Sequence, residues 1–303
     1  MSVQHKPMSV KIIETLTRWH DHGVMNKIGD RRVLVLGATG KTGSRVAARL
    51  SHQAVGVRSA SRHGGDVRFD WDDPATYAPA LDGMDGIYLV APVMRMDYAG
   101  MVSGFLDQAE RAGVGHVTYL SAYGAAQAPD DFAIRAVELD LLSRSALTHS
   151  FIRPAWFMQN FSESFLKPVD DTIVVPNGDG AEAFVDVDDI AAVAAATLVD
   201  PMTHAGASYA PTGPEALTIT QTAELVSTAV GRKITYTVVE QDVWIDAMIA
   251  AGVPHDYTTM LRLLTSTVAS GNGSRPNNDV RAVTGRAPMS FADFAAHAVH
   301  AWK

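Results

Sequence analysis

The sequence contains no cysteine among its 303 residues. This absence excludes disulfide bonds, a thiolate nucleophile and cysteine-ligated zinc. No apolar run reaches the roughly 18 residues that a membrane-spanning helix requires, and the N-terminal residues lack the basic and then apolar pattern of a secretory signal peptide. We therefore expect a cytoplasmic protein without a membrane partner.

Positive charge is also scarce. The chain has 25 lysines and arginines against 33 acidic residues, which gives a formal net charge of −8, and its basic residues are scattered. Nucleic-acid-binding proteins present clustered basic residues to the phosphate backbone, so no nucleic acid partner is expected. The hydrophobic content of 47% is sufficient for a large core, and the length suits one large domain or a domain and a half.

The most informative local pattern is an apolar run that leads into three glycines. Residues 33–36 predict a buried strand, Gly37, Gly40 and Gly43 predict a tight turn, and residues 44–50 continue as a helix. In such a turn a pyrophosphate can approach the backbone, and the free amides at the helix start face its oxygens. The pattern therefore favours a dinucleotide site, with a purely structural strand-to-helix turn as the alternative.

The end of the next strand, expected over residues 54–62, bears on the choice of cofactor. An acidic residue at this point binds the ribose 2′-hydroxyl of NAD, whereas an arginine suits the 2′-phosphate of NADP. Here the strand ends in Ser61 and Arg62, with Arg58 nearby and no carboxylate. We expect NADP(H), and the alternative is that these arginines are surface residues without a ligand.

Strands and helices alternate through the N-terminal part of the chain. Further strands are expected at 66–71, 86–92, 116–124 and 151–154, and helices at about 98–112 and 131–145. This alternation predicts an α/β protein with a doubly wound parallel sheet. In such sheets ligands gather at the carboxyl ends of the strands.

The acidic run from Asp186 to Asp189 precedes a long alanine-rich helix. These carboxylates resemble a calcium cluster, but a helix cap with acids in the first turn also explains them, and we prefer that interpretation. Beyond residue 213 the pattern is less regular, with a helix expected near 220–230, a strand at 234–238 and a capped final helix that begins at Ser290.

We divide the chain into three parts. Residues 1–30 form an N-terminal extension, in which Ile12, Leu16 and Trp19 would share one face of a helix. Residues 31–161 and 182–212 form the dinucleotide-binding domain, and residues 162–181 and 213–303 form a smaller C-terminal α/β lobe for the substrate. No metal site is expected.

Ten segments, in order from residue 33 to about residue 295, carry a resemblance to a known family. The segments are 37–43, 60–62, 69–71, 87–92, 120–122, 153–161, 178–180, 187–191, 231–234 and 283–288. With them the chain resembles the NmrA-like, atypical short-chain dehydrogenase/reductase family. The closer likeness is to its ergot-alkaloid branch, the agroclavine and festuclavine dehydrogenases, and to bacterial relatives of that branch.

The resemblance implies a Rossmann fold that binds NADP(H). Together with the pattern at the strand ends, it gives the following expected cofactor-binding residues: Gly37, Thr39, Gly40, Lys41, Thr42, Gly43, Arg58, Ser61, Arg62, Asp70, Trp71, Val90, Ala91, Pro92, Ser121 and Pro154. A small-molecule substrate is implied, although relatives act on different molecules. A homodimer is compatible with the sequence.

The sequence also bears on the chemistry. Ordinary short-chain reductases use a Tyr-x-x-x-Lys pair to protonate the developing alkoxide, but no lysine occurs between Lys41 and Lys167. The residues four positions beyond Tyr119 and Tyr123 are Tyr123 and Gln127. We therefore expect an acceptor that needs no proton in the hydride step, such as an imine or iminium ion, or else a redox sensor that binds NADP(H) without turnover.

Candidate catalytic residues are Ser121 and Tyr123, which could orient the substrate or donate a hydrogen bond. A pocket of large apolar residues would shield hydride transfer from water. The residues expected to line it are Tyr123, Trp156, Phe157, Met158, Trp244 and Met248. The ergot-branch resemblance favours the enzyme over the sensor.

Overall fold

The computed structural model describes residues 31–303, so the N-terminal extension and its expected helix lie outside the described residues. A parallel sheet of seven strands, in the order β3-β2-β1-β4-β5-β6-β9, forms the centre of the described chain. The strands are β1 Arg32–Leu36, β2 Gly56–Ser61, β3 Val67–Arg68, β4 Gly86–Leu89, β5 His116–Leu120, β6 Thr148–Ile152 and β9 Ser208–Tyr209. The strand order reverses beside β1, which confirms the doubly wound arrangement.

Helices connect these strands, and the longer ones cover the sheet. They are α1 Lys41–His52, α2 Tyr77–Leu81, α3 Ala99–Arg111, α4 Ala133–Ser143, α5 Asn160–Glu163, α6 Val187–Val199 and α7 Pro201–His204. Within residues 31–303, no helix combines the length and the apolar character needed to cross a membrane.

Both faces of the sheet are buried, which explains why its strands are apolar throughout. Side chains alternate along a strand, so Leu34 and Leu36 face one side of β1 while Val33 and Val35 face the other. The first pair packs in a cluster with α3 and α4, and the second pair packs in a cluster with α1 and α6. Each helix layer therefore has its own apolar core against one face.

A third apolar cluster forms the core of the second lobe. Its elements are β7 Thr172–Val174, β8 Ala181–Glu182, β10 Leu217–Thr218, α8 Ile219–Val230, β11 Thr235–Thr237, α9 Gln241–Ala250, α10 His255–Ala269 and α12 Phe291–His297. Six of the 18 buried residues of this core are aromatic, and Phe161, Phe184 and Phe291 pack edge to face. Two features depart from our division of the chain. Phe161 and Phe184, which we placed in the dinucleotide-binding domain, pack in this third cluster, and Val280 of helix α11, Asp279–Thr284, packs in the cluster with α1 and α6.

Several strands are shorter than the sequence suggests. The third strand pairs only at Val67–Arg68, and the Asp70 amide then donates to Thr76 Oγ1 at 3.1 Å. The fifth strand ends at Leu120, and Gly124 beyond it adopts a φ of 80°. Beyond these ends the chain continues as loops at the carboxyl edge of the sheet, where the Ser121 and Tyr123 amides still donate to carbonyls that follow or end β6.

The acids before the alanine-rich helix α6 form the expected cap. The Asp186 carboxylate accepts a hydrogen bond from the Asp188 amide at 2.7 Å and another from Gln159 Nε2. Asp189 in the first turn accepts one from the Met289 amide. In the described part of the chain, no group of three or more histidine or acidic side chains is arranged to hold a metal ion.

Helix α1 lies very close to the turn after β1 at Gly43, and a substitution there tests this contact. A Cβ at this position would lie 2.2 Å from the carbonyl oxygen of Gly37. Gly43→Ala must therefore displace α1 from β1, and we expect a loss of about 1–3 kcal/mol in the free energy of unfolding, measured by urea denaturation.

The matched control is Gly104→Ala in α3, where an added Cβ meets no atom within 4 Å. Alanine is the better helix former, so this change should be neutral or stabilise by about 0.5–1 kcal/mol. Equal stability of Gly43→Ala and the unmodified protein would contradict the close contact.

Candidate functional site

The candidate site lies along the carboxyl edge of the sheet, where β1, β2, β4, β5 and β6 end. Because these strands run parallel, the segments that follow them meet at the same edge. Leu36 is level with Ala60, and Leu120 is level with Ile152. The edge therefore brings together most of the residues that the sequence singled out.

The glycine turn after β1 is built as an open anion site. Gly37 adopts a φ of 62°, which lets the chain reverse directly after the strand. Helix α1 then begins after Gly40 without a side-chain cap and without an acid in its first turn. Helix starts have unpaired amides and a partial positive charge, so this end of α1 can bind an anionic group such as a pyrophosphate.

Lys41 and Thr42 form the first turn of α1. Lys41 is half-buried, and this burial lowers its pKa, while the nearby Glu163 carboxylate acts in the opposite direction. Glu163 ends α5, so an element just beyond β6 reaches the glycine turn. Thr42 is buried beneath the turn.

Ser61 ends β2 and Arg62 follows it, beside the glycine turn. The following loop lies against Thr39, because a Cβ at Gly64 would be 3.6 Å from Thr39 Cγ2. Arg62 is exposed, whereas Ser61 is buried and its Oγ donates to the carbonyl of His63. The guanidinium of Arg62 is thus the exposed cation at the end of this strand.

The acid nearest to this strand end is already engaged. Asp66 accepts hydrogen bonds from the amide and the hydroxyl of Ser59, each at 2.8 Å. The bond from the Ser59 amide contributes most to lowering the pKa of Asp66. Its carboxylate is therefore held by β2 itself.

Arg58 contacts a helix end rather than the glycine turn. It lies in the middle of β2, and its Nη1 donates to the carbonyls of Pro79, Ala80 and Asp82 at 2.7–3.2 Å. These carbonyls form the C-terminal end of α2, where a cation is favoured. The Arg58 guanidinium thus donates to a helix end in this structure, and its expected contact with the cofactor stays a prediction.

Asp70 and Trp71 follow β3 at the outer edge of the sheet. The Asp70 carboxylate lies 3.3 Å from the guanidinium of Arg68. Trp71 is half-buried and packs edge to face against Phe69 and Phe105. Both residues have structural contacts here, and each keeps some exposed surface at the edge.

Residues 90–92 leave β4 next to the glycine turn. A Cβ on Gly37 would lie 3.8 Å from Val90 Cβ, and residues 90–92 are half-buried. The loop then continues towards the second lobe, where the Met96 amide donates to the Asp256 carboxylate at 3.2 Å. This loop therefore joins the two lobes across the edge of the sheet.

A buried charged group occupies the ends of β5 and β6. Ser121 Oγ donates to Glu138 Oε1 at 2.7 Å, and Arg153 Nε donates to the same oxygen at 2.7 Å. Arg153 Nη2 and Arg135 Nη1 donate to Glu138 Oε2 at 2.9 and 3.1 Å. The Ser121 proton is thus committed to a carboxylate that has no exposed surface.

The sequence analysis did not identify Glu138, although a signal was present. Glu138 stands on α4 beside Ala133, Val137 and Leu141, all of which are buried. A charged residue on the buried face of an amphipathic helix requires partners, because burial of an unpaired charge is costly. Residue spacing alone does not show that the partners follow two different strands.

Tyr123 and Pro154 lie at the same two strand ends. The Tyr123 amide donates to the carbonyl of Pro154 at 3.0 Å, which holds the two segments together. Pro154 is buried, whereas Tyr123 is 41% exposed. The Tyr123 ring is thus accessible at the edge, beside the Ser121 segment.

The expected pocket residues separate into three groups. Trp156 and Met248 are half-buried against the core of the second lobe, and Phe165, which the sequence analysis missed, packs edge to face against Trp156 and Trp244. Met158 and Trp244 are buried in that core. Phe157 packs instead against the cluster that contains α1 and α6, since neighbouring residues in an extended segment point to opposite sides.

The chain is similar to known proteins over most of its length. Residues 29–276 match the model of the NmrA-like family. The uncharacterized oxidoreductase YesF from Bacillus subtilis is 34% identical over 278 residues, which are 88% of this chain and 96% of YesF. Festuclavine dehydrogenase easG from Aspergillus fumigatus is 33% identical over 292 residues, 89% of this chain and 98% of that protein.

Solved structures share the fold. The NADPH-dependent quinone oxidoreductase QOR2 of Escherichia coli, complexed with NADPH, has a TM-score of 0.69 at 22% identity and covers 88% of this chain and 99% of its own. NmrA, a negative transcriptional regulator in complex with NAD, has a TM-score of 0.69 at 15% identity, and the match covers 88% of this chain and 94% of NmrA. At such identities the likeness concerns the fold alone.

Proposed function

Because the chain belongs to the NmrA-like family and is an NAD(P)H-dependent oxidoreductase, we propose that it uses NADP(H) to reduce an activated C=N bond. The acceptor is an imine, an iminium ion or a similarly conjugated small molecule. The observation that carries this proposal is the commitment of the Ser121 proton to Glu138. The hydroxyl at the end of β5 is thereby unable to donate to a developing alkoxide.

Named relatives support the choice of acceptor. The chain is 33% identical to a festuclavine dehydrogenase and 30% identical over 290 residues to an NAD(P)H azoreductase from Xenophilus azovorans. The sequence also lacks a tyrosine followed four residues later by a lysine around Ser121. A chain without this pair is suited to acceptors that carry their own activation.

The residues along the edge fit a dinucleotide. The uncapped start of α1 and the glycine turn would hold the pyrophosphate, and Gly40 leaves room for its approach. Arg62 would pair with the 2′-phosphate, since the neighbouring Asp66 is engaged by Ser59. Residues 90–92 and Pro154 would line the remainder towards β6.

The bound cofactor would supply a hydride to the carbon of a C=N⁺ group, which yields a neutral amine without proton delivery in that step. The chain has three tasks in this reaction: to bind, to orient and to exclude water. Trp156, Phe165 and Met248 provide apolar surface close to the end of β6. Apolar walls lower the local dielectric and protect the transferred hydride from water.

The first test concerns the glycine turn. Gly40 has an extended backbone, and an added Cβ would meet only the Gly37 carbonyl, at 3.2 Å. Gly40→Val should therefore fold and yet lose dinucleotide binding, since the side chain fills the space that the pyrophosphate needs. Calorimetric titration with NADPH measures this loss, and Gly104→Val in α3 is the control. Retained affinity in Gly40→Val would place the nucleotide elsewhere.

The second test concerns the choice of cofactor. Arg62→Ala should weaken NADPH binding by about 1.5–3 kcal/mol, the range of a charge-assisted hydrogen bond. NADH lacks the 2′-phosphate, so its affinity should change little. Arg111→Ala, an exposed arginine at the end of α3, is the control. An equal loss for both cofactors in Arg62→Ala would refute the assignment of Arg62 to the 2′-phosphate.

The third test concerns the acceptor. Iminium ions should be reduced at least about 100-fold faster than ketones of the same shape, because only the ketone requires a general acid. The rate should rise as the pH falls through the pKa of the imine substrate. Tyr123→Phe should reduce kcat less than about tenfold, since Tyr123 orients the substrate and does not supply an essential proton.

Two outcomes would contradict this mechanism. Simple ketones could prove to be the best substrates, or Tyr123→Phe could lower kcat by about a thousandfold, and either result would identify a proton donor in the hydride step. If NADPH binds tightly but no imine, iminium ion, quinone or ketone oxidises it, the protein is a redox sensor of the NmrA type.

A further inference from the structure

We propose that Glu138 is a positioning residue that fixes the hydrogen-bond polarity of Ser121, so that the site selects acceptors that carry an N–H group. Protonated imines have this group, whereas quaternary iminium ions and carbonyl compounds lack it. The inference rests on the proposed reduction of C=N bonds and names the subclass of acceptor that the site prefers.

The contacts of Glu138 determine which partner holds the proton. Its carboxylate accepts from Arg153 Nε and Nη2, from Arg135 Nη1 and from Ser121 Oγ. A carboxylate has no proton to donate, and a guanidinium cannot accept one. The Ser121 hydrogen therefore points at Glu138, and the lone pairs of Oγ are left to accept from another group.

Ser121 holds this orientation because its surroundings are rigid. Its amide donates to the carbonyl of Ile152 at 2.8 Å, which fixes the backbone across β5 and β6. Arg153 donates to both carboxylate oxygens of Glu138 through Nε and Nη2. A bidentate pair of this kind fixes the orientation of the two side chains and is stronger than a single hydrogen bond. Glu138 has no exposed surface, so it acts through Ser121.

The charged side chains around Ser121 have no net positive charge that would repel a cationic acceptor. Arg153 and Arg135 both contact Glu138, and Arg135 Nε lies 3.6 Å from the Asp130 carboxylate. Two positive and two negative side chains therefore balance. Without Glu138, the two guanidinium groups would repel a cationic acceptor at the end of β5.

An acceptor-only Ser121 discriminates between substrates through hydrogen bonding. The N–H of a protonated imine can donate to the Oγ lone pair, and a bond from a charged donor is roughly twice as strong as a neutral one. A carbonyl oxygen needs a donor and finds none at Ser121. A quaternary iminium ion has the same charge as a protonated imine but no hydrogen to donate.

The experiment compares a cyclic imine with its N-methyl iminium analogue, at a pH at least one unit below the pKa of the imine, where both are cations. The unmodified protein should show a kcat/KM about tenfold or more in favour of the protonated imine. Ser121→Ala should bring this ratio to about one. Ser143→Ala, at the far end of α4, where Oγ donates to the Asp140 carbonyl, is the control and should keep the ratio.

Glu138→Gln tests the positioning role. The amide oxygen of glutamine would keep the position of Oε2, which accepts from two guanidinium nitrogens, so the NH2 group takes the position of Oε1 and loses the bond from Arg153 Nε. There it can donate to Ser121 Oγ and free the hydroxyl proton, so the imine preference should fall about tenfold and reduction of a matched ketone should rise. If Glu138 had a purely structural role, Glu138→Gln would lower kcat/KM equally for the protonated imine, the N-methyl iminium ion and the ketone. Thermal unfolding checks that the variants fold, and if Glu138→Gln does not, Ser121→Ala decides the question.

The outcomes separate this inference from the proposed function. If the N-methyl iminium ion is reduced but the ratio is the same in the unmodified protein, Ser121→Ala and Glu138→Gln, the polarity of Ser121 plays no part in selection and the inference is wrong. If neither C=N acceptor is reduced while NADPH binds, the proposed function itself fails, and this inference fails with it.

Discussion

The contact between Gly43 and the carbonyl oxygen of Gly37 constrains the rest of this structure. A Cβ at Gly43 would lie 2.2 Å from that oxygen, so only glycine lets α1 start directly against the turn after β1. The same contact aims the first amides of α1 at the carboxyl edge, without a side-chain cap to satisfy them. The packing of a helix on a strand and the presence of an anion site thus have one cause.

Glu138 is the second organising residue of the edge. It joins three elements, because its partners Ser121 and Arg153 follow neighbouring strands while Glu138 itself stands on α4. Burying this carboxylate is tolerable only because two guanidinium groups and a hydroxyl satisfy it. The hydrogen bonds that stabilise the end of β5 thereby also decide which atoms of Ser121 face a ligand. The same contacts therefore serve both the folding and the proposed chemistry of this edge.

Local patterns predict the glycine turn and the individual strands, because each depends on residues close in sequence. The parallel sheet follows from the alternation of strands and helices, although its strands pair over long separations, as Val33 does with Gly86. The cap at Asp186 also follows from local pattern, since the bond from the Asp188 amide spans two residues. The contacts of Arg58 do not follow from local pattern, because its partners, the carbonyls at the end of α2, lie more than 20 residues away. Phe157 was grouped with Trp156 although the two side chains point to opposite sides of their segment.

The sequence by itself determined the fold class, the strand that carries the dinucleotide signature and the lack of a Tyr-x-x-x-Lys pair, since composition, period and spacing are properties of the linear chain. Only the tertiary structure decided the state of the functional side chains. Glu138 lies 17 residues from Ser121 and 15 from Arg153 along the chain, and the fold brings all three within hydrogen-bond distance. Hydrogen-bond polarity depends on which groups meet in space, and the packing of α4 against two strand ends determines that meeting.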